Sequence, residues 1–81
     1  MQCQVLLFAQ LAESIGKDRV TIELSNGATV NDALNLLAVN HEVIAQMHNS
    51  IAVAINEQYC NSNTEIKDGD TLALIPPVSG G

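Results

Sequence analysis

The chain finishes on Pro76-Pro77-Val78-Ser79-Gly80-Gly81. A terminal Gly-Gly adds little to a fold, because glycine loses the most freedom on ordering and has no side chain to bury. It does offer an α-carboxylate on the thinnest possible chain. An extended stretch from Ile75 to Gly81 reaches on the order of 20 Å, at about 3.3–3.6 Å per residue. The two prolines stiffen its base. A tip without Cβ atoms can thread a channel that a larger side chain would block. The carboxylate is ionised at neutral pH, with a reference pKa of about 3.3–3.7. It is therefore a poor electrophile and must be activated before it reacts, most simply by adenylation with ATP. It could then pass to a nucleophile as an acyl group, or accept sulfur as a thiocarboxylate. The competing reading is a flexible stump.

Other candidate groups are weaker. His41 and His48 are seven residues apart, a spacing that two turns of helix could align. A zinc site needs three or four ligands with supporting partners, and the sequence supplies none nearby, so both are expected as surface or loop residues with no metal. Cys3 and Cys60 share no metal or redox spacing and are expected as reduced, mostly buried small hydrophobes. Lys67-Asp68-Gly69-Asp70 lacks the alternating ligands and closing Glu of a calcium loop and reads as a tight turn. No acid, base and nucleophile set is present, so the chain alone is expected to be non-catalytic and to bind no cofactor.

What must position the tail is one small domain. The chain has 81 residues, 47% hydrophobic and 15% charged, which argues for a globular fold rather than disorder. With only Phe8 and Tyr59 as aromatics, the core must be aliphatic. Nine carboxylates face three cations (Lys17, Arg19 and Lys67) for a net charge of −6. Nucleic-acid binding needs the opposite sign; an acidic domain would be steered to a basic surface. No apolar run approaches a membrane span, and no basic segment precedes the first apolar run as in a signal peptide. The expected location is the cytoplasm, with no membrane partner.

Residues 3–11 read as a first strand, with Val5, Leu7 and Ala9 on one face and Leu6 and Phe8 on the other. A loop over 12–18 leads to a half-buried strand over 19–25, pairing with the first as a hairpin. Ser25-Asn26-Gly27 is a turn. Thr29 is placed as a helix N-cap, with Asp32 close to a capping box that prefers Glu or Gln. Val30, Ala33, Leu34 and Leu37 form the helix's apolar face. A short second helix is placed over 42–47. Further strands are placed over 51–56, briefly after Tyr59, and over 71–75, where Pro76 and Pro77 stop the last one. The order predicts an α+β roll of the ubiquitin type: a mixed sheet covered by one main helix, with a domain over 1–75 and an extended tail over 76–81.

Asp68 to Gly81, "DGDTLALIPPVSGG", strongly resembles the C-terminal signature of the small-subunit family of molybdopterin synthase (the MoaD family). "VLLFAQLAESIG" is similar to that family's first strand and following loop, "TVNDALNLLA" to its helix start, and "AVAINEQY" to the strand and turn before the last segment. The similarity covers nearly the whole chain and is weakest over 37–50. The resemblance implies a β-grasp fold and a sulfur-carrier role. A ubiquitin-activating-like adenylyltransferase would use ATP to adenylate Gly81. A sulfurtransferase would supply the sulfur that turns the adenylate into a thiocarboxylate. The large synthase subunit, in an assembly of two small and two large subunits, would receive the tail and pass sulfur to cyclic pyranopterin monophosphate. By this resemblance Gly81 carries the sulfur, Gly80 lets the tail thread, and Pro76, Pro77, Val78 and Ser79 set its exit. Leu74 and Ile75 stand where the family often has aromatics.

If the first and last strands pair as in that fold, Val5, Leu7, Leu72 and Leu74 meet the helix. The other face then shows Phe8, Ile75 and Tyr59 near the tail's root. Exposed apolar clusters of this kind mark partner sites, which predicts a surface for the large subunit and the activating enzyme, rimmed by Glu57, Asp68 and Asp70. The alternative is a satellite core under residues 37–50. Three other functions fit the same fold: a thiamine-type sulfur carrier, a ubiquitin-like modifier that forms isopeptide bonds through Gly81, and an interaction module with no tail chemistry.

Overall fold

The computed structural model describes residues 1–77. Along the chain run β1 (Gln2–Leu7), α1 (Ala9–Ile15), β2 (Arg19–Glu23), α2 (Val30–Asn40), α3 (Glu42–Met47), β3 (Ala52–Ile55), β4 (Gln58–Cys60) and β5 (Thr71–Ile75). They build a mixed sheet in the order β2-β1-β5-β3-β4. β1 pairs antiparallel with β2 and parallel with β5, which is antiparallel to β3. This is the β-grasp arrangement expected from the order of elements.

Alternation divides the central strands. Val5, Leu7, Leu72 and Leu74 are buried at 2% exposure or less. They face Val30, Ala33, Leu34 and Leu37 of α2, with Leu11 of α1, Ile44 of α3 and Ile66, in one cluster. Residues 37–50 thus close over this same core and form no satellite on the other side. At about 1.5–3 kcal/mol for each fully buried Leu or Ile, the cluster is the main stabiliser of so short a chain.

Thr29 and Asp32 form a full capping box despite the shorter acid. The Asp32 N–H donates to Thr29 Oγ1 at 3.3 Å, and the Thr29 N–H donates to Asp32 Oδ2 at 2.9 Å. The segment before β5 ties down the same helix end. Val30 N–H donates to the Thr64 carbonyl, and Ile66 N–H to the Ala28 carbonyl.

One expectation fails between β1 and β2. The strand stops at Leu7, and Ala9, with the residues read as a loop, forms α1. The helix has no side-chain N-cap, and Ala9 sits at φ 49°. What α1 gains is complete burial of Leu11. It ends on Gly16 at φ 81°, a left-handed conformation that suits glycine, with its N–H on the Ala12 carbonyl.

Candidate functional site

β5 runs through the middle of the sheet and delivers the chain to Pro76 and Pro77. Pro76 is buried and Pro77, the last described residue, is exposed. Val78, Ser79, Gly80 and Gly81, to which tail threading and sulfur chemistry were assigned, lie outside the described residues.

The helices all pack on one side, which leaves the other face of the sheet open at the tail's root. Register sets the order of its side chains. Leu6 lies opposite Ala73, Ala73 opposite Ala54, and Ala54 opposite Tyr59, so one row crosses four strands. The next row sets Ile75 opposite Ala52. Phe8 follows just beyond the end of β1. Phe8 is 45% exposed and Tyr59 75%, while Ile75 is half-buried. Ala54 is only 6% exposed although no helix covers it. The three predicted residues therefore border a shallow apolar surface floored by Ala52, Ala54 and Ala73. Alternation in the sequence marked Leu6 for this face, but Ala52 and Ala54 were missed. Alternation along β3 carried that signal, since Val53 and Ile55 face the helices.

The acidic rim is displaced from its expected place. Asp70 precedes β5, and Asn56 and Glu57 form the β3–β4 turn. Asn56 Nδ2 donates to Asp70 Oδ1 at 3.0 Å, and the Gln2 N–H donates to Asp68 Oδ1 at 3.3 Å. Glu57, Asp68 and Asp70 therefore gather at the start of β5, the opposite end of the sheet from the tail. Asp18, whose carbonyl accepts from Leu7 N–H, is the acid beside the end of β1.

The remaining candidates behave as structural residues. His41 separates α2 from α3, and His48 Nε2 lies 3.1 Å from Asn35 Oδ1. Among the described residues no cluster of metal-ligating side chains occurs. Cys3 is buried, Cys60 half-buried, and both are free. Burial pushes both thiols up, away from the reactive thiolate. A cleft of about 330 Å³ between α2 and β3–β4, lined in part by Asn31, His48 and Cys60, shares Ala52 and Tyr59 with the apolar surface. No described helix is long and apolar enough to cross a membrane.

This geometry presents the foot of a tail beside an apolar platform. The sequence model of the ThiS family matches residues 5–81, through the Gly80-Gly81 end. The chain belongs to the ThiS family. Among its relatives, the molybdopterin synthase sulfur carrier subunit of Chlamydomonas reinhardtii is 36% identical over 83 residues, with 100% of both chains covered. Among solved structures, SAMP1 from Haloferax volcanii has a TM-score of 0.87 at 34% identity, covering 100% of each chain. The complex of subunits 1 and 2 of the molybdopterin-converting factor from Helicobacter pylori includes a chain with a TM-score of 0.69 at 28% identity, also covering 100% of each. This ThiS-family chain therefore has the β-grasp fold of sulfur carriers, and a fold neighbour solved with a partner subunit.

Proposed function

We propose that this chain is a sulfur carrier, the small subunit of a molybdopterin synthase, acting through a thiocarboxylate at Gly81. The observation that carries the reading is the end-to-end match to a carrier subunit of that name, within a family match that extends to Gly81. The chemistry follows from the carboxylate. A partner adenylyltransferase joins Gly81 to the AMP of ATP and releases pyrophosphate. Sulfur from a sulfurtransferase displaces AMP, either as HS⁻ or as a persulfide whose acyl disulfide a second thiol reduces while forming a disulfide, and –COSH is left. The large subunit takes the tail, with Gly80 passing through the narrowest part and Pro76 to Ser79 directing it. Sulfur moves to the pterin precursor, and hydrolysis returns the carboxylate. The domain itself holds no cofactor, and ATP is consumed at the partner. Two small and two large subunits assemble in the cytoplasm. Phe8, Tyr59 and Ile75 supply the docking surface beside the tail.

The test is removal of Gly81. Because Gly81 lies beyond the last strand, its deletion leaves the melting temperature unchanged while sulfur transfer to the precursor, measured with the large subunit, stops. A shortened chain that supports molybdopterin formation at the normal rate contradicts the proposal. Likeness to SAMP1 favours a second reading, a protein modifier. Incubation with the activating enzyme, ATP and a protein target would then yield an amide-linked conjugate.

A further inference from the structure

β2 lies at one end of the sheet, and among the described residues nothing pairs with its outer edge. The hydrogen bonds flanking it settle which of its backbone groups face outward. Leu7 N–H donates to the Asp18 carbonyl at 2.9 Å, and Leu24 N–H to the Met1 carbonyl at 2.8 Å. Hydrogen-bonded pairs alternate along an antiparallel ladder. In the register of β1 and β2, Val5–Val20 and Cys3–Ile22 are then also hydrogen-bonded pairs. The N–H and C=O groups of Val20 and Ile22 aim at β1, and those of Arg19, Thr21 and Glu23 aim away from it.

The sequence of this edge is complementary to itself. Arg-Val-Thr-Ile-Glu has Thr21 at its centre, an apolar β-branched residue on each side, and opposite charges at its ends. We propose that β2 is a self-pairing edge, through which two copies of this chain form a weak two-fold dimer with Thr21 opposite Thr21 and Arg19 opposite the partner's Glu23. In this register all five residues of β2 are paired. Each outward-facing residue meets another in phase, so Arg19–Glu23, Thr21–Thr21 and Glu23–Arg19 exchange N–H···O=C bonds. A register centred on Arg19 or on Glu23 places like charges opposite each other, which is destabilising. Registers centred on Val20 or Ile22 leave part of β2 unpaired.

The side chains agree with the backbone. Arg19, Thr21 and Glu23 are exposed on the open face of the sheet, so the charged pairs form at its surface. Glu23 already stands 3.7 Å from the Met1 ammonium and is largely exposed, which leaves it room for a second cation. Val20 and Ile22 are half-buried at the margin of the core and lie opposite each other across the dimer. Such a two-fold contact is closed and does not propagate. It is also small, so it belongs with weak, transient interfaces. The charge of −6 on each copy opposes association at low salt. β5 and β4, which carry Ile75 and Tyr59, lie away from this edge, whereas Phe8 stands just beyond the end of β1, the strand next to β2.

Sedimentation velocity on the full chain, from about 10 μM to about 1 mM, the range suited to so small an interface, is the test. The wild type shows a monomer–dimer equilibrium in that range. Arg19→Glu and Glu23→Arg each weaken it at least about tenfold, the factor that a lost charge pair and a new repulsion of about 1.4 kcal/mol would produce. Mixing the two variants restores opposite charges at both ends, so the mixture dimerises more tightly than either variant does alone. Thermal melts of each variant verify folding, and recovery in the mixture cannot come from unfolded protein. A wild type that stays monomeric at 1 mM overturns the proposal. So does a dimer indifferent to Arg19→Glu, or a mixture that stays monomeric.

Discussion

Glu57 sits at φ 71° beside Asn56 at φ 49°, the two-residue turn between β3 and β4. Both central residues of such a turn need positive φ, which is why Asn-Gly is favoured there. Asn56 suits its place and uses its side chain, since Thr71 N–H donates to Asn56 Oδ1 at 3.1 Å. Glu57 is held in a conformation that glycine adopts without strain. Glu57→Gly is expected to stabilise the domain by about 0.5–1 kcal/mol, the balance of relieved strain and added chain entropy; urea unfolding measures it, and a less stable variant contradicts the reading. Cys3 offers a pH test. Burial raises its thiol, opposed by a backbone hydrogen bond at Leu72 and reinforced by the Asp70 carboxylate. A folded-state value above the unfolded one means stability that is complete below the unfolded value, about 8.5, and is lost as pH rises through the folded value. Melting temperatures of wild type and Cys3→Ala should therefore converge as pH rises above about 8.5. A gap that stays constant with pH would show that the thiol does not ionise differently in the two states.

At the scale of elements, α2 rests on its capping box. Thr29→Ala removes the acceptor for Asp32 N–H and is expected to cost about 1 kcal/mol, measured by denaturant midpoint at unchanged slope. An unaffected midpoint would mean that the contacts from Thr64 and Ile66 hold the helix start without it. The elements differ in how plainly the sequence shows them. Thr29, Asp32 and the Val30–Leu37 spacing marked α2, and alternation in Thr71–Ile75 marked β5 and the division of its faces. α1 was hidden because residues 3–11 form one apolar run that alternation continues without a break. No capping residue marks its start, and only Gly16 signals its end. The long-range term, burial of Leu11 against the rest of the core, makes these seven residues a helix. The acidic residues were misplaced for a related reason. Composition shows that Glu57, Asp68 and Asp70 exist, but only strand direction shows that they collect at the end of β5 away from the tail.

For the whole molecule, division of labour is the consequence of the topology. One face of the sheet carries all three helices and the stability. The other is left apolar and open around the strand that leads to the tail. A change on each face should therefore separate binding from folding. Phe8→Ala is expected to weaken the complex with the large subunit by about 1–3 kcal/mol, as for a buried interface aromatic, with a nearly unchanged melting temperature. Leu74→Ala should instead cost about 2–5 kcal/mol of stability. Calorimetric titration beside thermal melts compares them, and a large loss of stability in Phe8→Ala would reverse the assignment of the faces. The central claim concerns Gly81, and intact mass spectrometry tests it most directly. After incubation with the activating enzyme, ATP and a sulfur donor, the chain is predicted to gain about 16 Da as –COSH replaces –COOH. An unchanged mass under conditions in which a known carrier is converted, or a shift that survives deletion of Gly81, would contradict it.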